Sequence, residues 1–195
     1  MGRDVGDDRL DTQTWFGRTA PLIVEIGCGT GTATAAMAQA EPEHDLLAIE
    51  VYVPGLAQLL QRIEREAIPN IRLLRGDAVD VLEHMIAPQS LLGVRVFFPD
   101  PWPKARHHKR RLLQAPTLAL IADRLQPGGV LHVATDHAEY AQFIEEVGNA
   151  EPKLRPLDWD SIAESPMSHE RPVTKFEGKA HRAGSAVTEL LWGKK

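Results

Sequence analysis

Leu22-Ile23-Val24-Glu25-Ile26-Gly27-Cys28-Gly29-Thr30-Gly31-Thr32 decides how this chain folds. Its first five residues form a β-branched, apolar run of strand length, and Gly27 closes it. Glycines then alternate to residue 31, which lets the backbone take positive φ and approach a ligand closely. Thr32 to Ala40 continue as an alanine-rich helical stretch that Pro42 ends. A strand, a glycine loop and a helix in that order open a doubly wound α/β fold, whose ligands bind beyond the carboxyl ends of the strands.

Working outward, Leu46 to Glu50 reads as a second strand ending in an acid, 19 residues after Gly31. That is the usual place for a carboxylate that binds ribose hydroxyls. Pro54 to Ala67 has Leu56, Leu59, Leu60 and Ile63 at helical spacing. Ile71 to Leu74 is a third strand, with Gly76-Asp77-Ala78 at its end and a short helix to Met85, and Val94 to Phe98 is a fourth. Consecutive strands thus end in acids at Glu50, Asp77 and Asp100, on the edge where such sheets bind ligands. Leu112 to Leu125 is helical, Gln126-Pro127-Gly128-Gly129 is a turn, Val130 to Thr135 is a strand closed by Asp136, and His137 to Val147 is a helix.

The flanks are less regular. Residues 1–14 are polar, acid-rich and without a sustained period, which predicts a mobile lead-in. Trp15-Phe16-Gly17-Arg18 is an aromatic anchor, and residues 15–195 read as a single domain. Residues 150–172 form a long loop within it, and the tail runs from Arg171-Pro172-Val173-Thr174-Lys175-Phe176-Glu177 to an apolar stretch ending at Trp192.

A lone cysteine, Cys28, excludes an internal disulfide and a multi-cysteine metal site, so no metal is expected and a reducing cytoplasm is the default. No stretch approaches the ~18 apolar residues of a membrane span, and the N-terminus lacks the hydrophobic segment of a signal peptide. The net charge of -5 hides a segregation. Residues 104–111 and 171–182 hold nine of the 22 Lys and Arg and a single acid, Glu177, leaving 13 cations against 26 acids elsewhere. That split predicts a localised anion-binding face on an acidic body.

The first of these segments follows Phe97-Phe98-Pro99-Asp100-Pro101-Trp102-Pro103-Lys104 directly, as Ala105-Arg106-His107-His108-Lys109-Arg110-Arg111. Prolines on both sides of Asp100 stiffen the backbone that aims its carboxylate. Trp102 serves either the core or base stacking. Cations at the start of a helix oppose its dipole, an arrangement that costs stability unless an anion offsets it. Arg106, Lys109, Arg110 and Arg111 are the predicted phosphate face.

Glu25 ahead of the glycine loop, and Thr32 where a dinucleotide fingerprint has Gly or Ala, point away from a pyrophosphate and toward a cationic ligand. This arrangement resembles the first motif of class I S-adenosylmethionine methyltransferases. Phe98-Pro99-Asp100-Pro101-Trp102-Pro103-Lys104, His107 to Arg111, Thr135-Asp136 and Thr174-Lys175-Phe176-Glu177 together narrow the resemblance, over Trp15 to the C-terminus, to bacterial tRNA (guanine-N7-)-methyltransferases.

The resemblance implies a Rossmann-like, mostly parallel sheet with helices on both faces and an antiparallel C-terminal strand. It further implies methyl transfer from S-adenosyl-L-methionine to N7 of a guanine in the tRNA variable loop. Glu25, Gly27, Gly29, Gly31, Glu50, Asp77, Ala78 and Asp100 match the cofactor positions, with Asp100 also the catalytic residue. Lys104, Asp136, Thr174, Lys175, Phe176 and Glu177 match positions that hold the substrate.

Two departures stand out. After Glu177 the family continues with an arginine-glycine pair and a later glycine-histidine, where this chain has Lys179-Ala180 and Gly184-Ser185. Family members also carry a longer basic N-terminal arm, so either the start is truncated or RNA contact falls on the remaining face. A small-molecule methyltransferase and a non-catalytic RNA-binding protein are the alternative readings, and monomer and homodimer are equally compatible with the sequence.

Overall fold

The computed structural model describes residues 1–6, 8–159, 165–172 and 186–195. Among these, the strands are β1 (Gly2–Asp4), β2 (Leu22–Ile26), β3 (Asp45–Glu50), β4 (Ile71–Arg75), β5 (Leu91–Phe97), β6 (Leu125–Thr135), β7 (Leu154–Pro156) and β8 (Thr188–Lys194). They form one sheet in the order β1-β4-β3-β2-β5-β6-β8-β7. The pairings from β1 to β6 are parallel, and β8 runs antiparallel to both β6 and β7. The order reverses direction at β2, so the crevice between the ends of β2 and β5 is the switch point where such sheets bind ligands.

Alternating side chains send two apolar sets to opposite faces. Val24, Ile26, Val94, Val96, Leu131 and Val133 pack against α5 (Ala115–Arg124), α6 (Ala138–Ala150) and the turn Val81–Met85 that extends the short α4 (Ala78–Asp80). Ile23, Leu46, Ala48 and Leu73 pack against α2 (Thr32–Ala40) and α3 (Val53–Glu66). On that second face the β5–β6 half is covered by Met167 and its neighbours, with no helix of the described residues there. Gly93 makes room for Met167, whose sulfur occupies the place a Cβ would take.

The predicted mostly parallel α/β sheet with an antiparallel C-terminal strand is the observed one, and most expected boundaries fall within one or two residues. Four segments differ. The expected lead-in carries β1, which pairs with β4, and the start of α1 (Thr12–Phe16), which Asp11 caps through the Thr14 amide at 2.9 Å. A three-residue edge strand is too short to leave a period in the sequence. The helix expected from Leu112 starts at Ala115, with Pro116 in its first turn, because a 3-10 turn (Ala105–Arg110) and its exit occupy the preceding residues. Gln126 to Gly129 is a bulged entry into β6, since β6 meets β5 first at Leu125–Leu91 and resumes at Val130–Gly93. Within the loop expected over 150–172, Leu154–Pro156 forms β7.

Candidate active site

The ends of β2 to β5 enclose a cavity of about 610 Å³ whose walls include Gly27, Glu50, Asp77, Ala78 and Asp100. The sequence therefore named five residues, from four separate loops, that the fold brings together. Val51, Val79, Leu112, Gln114 and Thr117 complete much of the apolar and polar wall, and none of them stood out in the sequence.

Each wall residue is held differently. The Glu50 carboxylate accepts hydrogen bonds from the Gly29 amide (2.8 Å) and from the Val51 and Tyr52 amides (2.7 and 2.9 Å). One acid thus pins the glycine loop to the start of α3. Asp77 caps α4 through the Val79 amide at 2.8 Å. Gly27 takes φ of 76° with open space where a Cβ would be, so its backbone faces the cavity directly. Gly31 serves packing, because a Cβ there would collide with Leu59 of α3.

Glu25 lies under the loop, 2% exposed and outside the cavity wall. Burial pushes its carboxyl up to about 7, against the pull of the Thr34 hydroxyl and the Arg95 charge. One of its oxygens has no hydrogen-bond partner among the described residues. It stands in register with Arg95 on β5, and Arg95 with His132 on β6, so a row of ionisable groups crosses the sheet beneath Met167. Arg95, fully buried, donates to Glu41 at 2.6 Å and to the Ser168 carbonyl at 2.9 Å, while Glu41 accepts from the Ser168 amide. A cation inside an otherwise apolar parallel strand must be paired, so Arg95 signals a buried partner in the sequence without saying which residue it is.

Asp100 is exposed at the cavity mouth, and its carboxylate has no hydrogen bond among the described residues. Phe98 and Trp102, one on each side of the Pro99-Asp100-Pro101 core, both take positive φ (52° and 44°). For bulky side chains this costs on the order of 1–3 kcal/mol each and persists only where the surroundings enforce it. Arg110 and His107 pack on Trp102, the guanidinium 5.0 Å from the ring centroid and the imidazole edge-on at 5.8 Å. Trp102 therefore sits on the cavity rim as a platform rather than in the core.

Comparison with known proteins identifies the lineage. A family model described as "Putative methyltransferase" matches residues 19–190. The tRNA (guanine-N(7)-)-methyltransferase of Rhodococcus jostii is 75% identical over 194 residues, covering 100% of this chain and 74% of that protein. The enzyme of the same name from Nocardia farcinica is 70% identical over 201 residues, covering 100% and 75%. The chain belongs to the tRNA (guanine-N(7)-)-methyltransferase family.

Solved structures add the fold. A Streptococcus thermophilus rRNA methylase aligns with a TM-score of 0.59 at 16% identity, covering 90% of this chain and 87% of its own. Phosphoethanolamine N-methyltransferase 2 of Haemonchus contortus, solved with S-adenosyl-L-methionine, aligns at 0.53 and 14% identity, covering 93% and 50%. The residues present fit that cofactor. Three carboxylates reach the cavity and its edge, the glycine backbone opens onto it, and a fourth buried acid with an unpartnered oxygen lies beneath. Such a set suits a ligand bearing cationic groups, ribose hydroxyls and an amine.

The residues expected to hold the substrate divide. Lys104 and Asp136 are exposed at the same sheet edge as Asp100, at the ends of the loops after β5 and β6. Thr174, Lys175, Phe176 and Glu177, with the departures at 179–180 and 184–185, lie outside the described residues. Arg106, Lys109 and Arg110 are exposed as expected of a phosphate face. Arg111 is a correction: its side chain is 1% exposed and paired with Glu139, so it is not part of that face.

Proposed function

We propose that the chain transfers the methyl group of S-adenosyl-L-methionine to N7 of a guanine in the variable loop of tRNA, forming 7-methylguanosine. What carries this reading is the convergence of Glu50, Asp77 and Asp100 on one cavity whose rim continues into Trp102 and Arg110. Methyl donor and nucleic acid can meet there. The activity named for the relatives supports the same assignment. On this reading residues 15–195, with β1 added to their sheet, act as a single methyltransferase domain, and tRNA as the partner puts its work in the cytoplasm.

Bound S-adenosyl-L-methionine supplies an electrophilic methyl group on a sulfonium. Glu50, already oriented by three amides, takes the ribose hydroxyls. Asp77 takes the exocyclic adenine amine beside Ala78, and Glu25 supports the glycine loop over the methionine part. N7 of guanine carries a lone pair and no proton, so its attack needs no general base. The work left to the chain is alignment and stabilisation of a purine that becomes cationic. Asp100, without a partner in the described residues and set in a stiff loop, positions the guanine and offsets that charge. Lys104 and Asp136 hold the nucleotide with Thr174, Lys175, Phe176 and Glu177, while Arg106, Lys109 and Arg110 attract phosphate.

Nucleoside analysis of tRNA incubated with the protein and S-adenosyl-L-methionine tests substrate, reaction and position together. The expected product is 7-methylguanosine in the variable loop. Methylation of another base, or cofactor binding without modified tRNA, would overturn the assignment.

A further inference from the structure

The buried arginine at the end of the cationic run has a different task from its neighbours. Arg111 Nε donates to the carbonyl of Pro101 at 2.8 Å. Its two terminal nitrogens donate to the two carboxylate oxygens of Glu139, at 3.1 and 3.0 Å, a bidentate pair. The guanidinium also lies 4.8 Å above the Tyr140 ring, whose hydroxyl accepts from the Leu113 amide at 3.0 Å. All three nitrogens of this guanidinium are thereby engaged, and His108 takes one further contact at 3.1 Å.

The connections matter because of what they join. Pro101 directly follows Asp100, in the segment flanked by the two positive-φ residues. Glu139 lies in the first turn of α6, three residues after Asp136. One side chain thus ties the loop after β5 to the loop after β6, and the Phe98 amide adds a 2.7 Å bond to the Ala134 carbonyl at the base of both. Hydrogen bonding to Arg111 also holds the Glu139 carboxyl below its ordinary range, so the charged pair persists in mildly acidic solution.

We propose that Arg111 and Glu139 are positioning residues for methyl transfer, fixing the Asp100 loop against the Asp136 turn so that both acids keep one spacing at the guanine. The proposal rests on the assignment of Asp100 to the reacting base. Arg111 enforces the backbone that the prolines stiffen, and it does so without contacting RNA. Arg111 borders the cavity with its polar atoms turned to Pro101 and Glu139, so the pair acts through the loop it holds rather than on the reacting atoms.

Arg111→Lys keeps the charge but loses the fork, and Glu139→Gln, at a half-exposed site, keeps an acceptor of the same shape. Single-turnover methylation at saturating tRNA and cofactor, KM for tRNA, the salt slope of tRNA binding and Tm are measured for both, for the double variant, and for Asp100→Asn. Asp123→Asn, which breaks the remote ion pairs with Arg124 and Lys153, serves as a control for general destabilisation.

The single-turnover rate of Arg111→Lys should fall between tenfold and about a hundredfold. The fall in Glu139→Gln should be smaller, KM and salt slope should be unchanged, and the double variant should be no slower than Arg111→Lys by more than about twofold. A salt slope lowered by about 0.7 to 0.9 in Arg111→Lys with its rate intact would make Arg111 a phosphate contact and overturn the proposal. Rates that fall only as far as in an Asp123→Asn protein of equal Tm would reduce the pair to a structural role and overturn it too. Near-normal turnover in Asp100→Asn would refute the assignment of Asp100 itself, separately from either result.

Discussion

Glu50 and Asp100 end parallel strands on the same edge of the same sheet, yet they are held in opposite ways. Glu50 is half-buried and meets three backbone amides of its own neighbourhood. Asp100 is exposed and without a hydrogen bond among the described residues; the loop around it supplies the rigidity, through prolines, two positive-φ residues and the Arg111 guanidinium. The difference fits the proposed role of each acid. A carboxylate that takes hydroxyls throughout the cycle can share its remaining oxygen lone pairs with the protein. One that must answer a charge appearing only as the methyl moves is best left uncommitted, with the cost of orientation borne by the backbone.

Four experiments sharpen or break this contrast. The largest effect is expected from Asp100→Asn, which should lower single-turnover methylation by about a hundredfold or more while changing cofactor affinity by less than about tenfold. Isothermal titration beside rapid-quench kinetics separates the two quantities, and equal losses in both would make Asp100 a binding acid like Glu50. Glu50→Ala should show the reverse pattern. Leaving three amides without their acceptor should cost about 1–3 kcal/mol of stability, and cofactor affinity should fall by about tenfold or more, with the rate at saturating cofactor within a few-fold of wild type.

Replacing Lys109 and Arg110 by alanine should flatten the salt slope of tRNA binding by about 1.4 to 1.8 in total, with the rate at saturating tRNA largely preserved. A slope unchanged in filter-binding titrations would put the RNA on another face.

The smallest and most diagnostic effect concerns Glu25. Because burial raises its carboxyl to about 7, the folded protein holds a proton there that the unfolded chain releases near its ordinary value. Stability without cofactor should therefore decline as pH rises from about 4.5 to about 7 and be level above. A cationic ligand favours the carboxylate, so affinity for S-adenosyl-L-methionine should rise a few-fold between pH 6 and 8 in wild type and stay flat in Glu25→Gln. A pH-independent wild type would remove Glu25 from the cofactor site.

The acids were legible because β-branched runs mark strand ends, and a parallel sheet gathers its carboxyl ends on one edge whatever the loops do. Arg111 was not. In the sequence it is the last member of a run of cations, and its partner Glu139 lies 28 residues away on another element. Only the tertiary fold tells it from Arg110, which turns outward over Trp102. The row of Glu25, Arg95 and His132 was hidden in the same way, since strand register and not spacing brings those residues abreast. Residues 2–4 leave no strand pattern in the sequence for a local reason: β1 gains its ladder from β4, not from its own composition.

Both outer strands of the sheet, β1 and β7, are only three residues long. One presents Arg3 and Asp4, with Asp4 paired to Arg75, and the other ends in Pro156. Short, charged or proline-ended borders offer little backbone for a second molecule to extend. The long apolar strands at the centre are thereby insulated from edge-to-edge stacking, a safeguard that the proposed gathering of large polyanions on one face would call on.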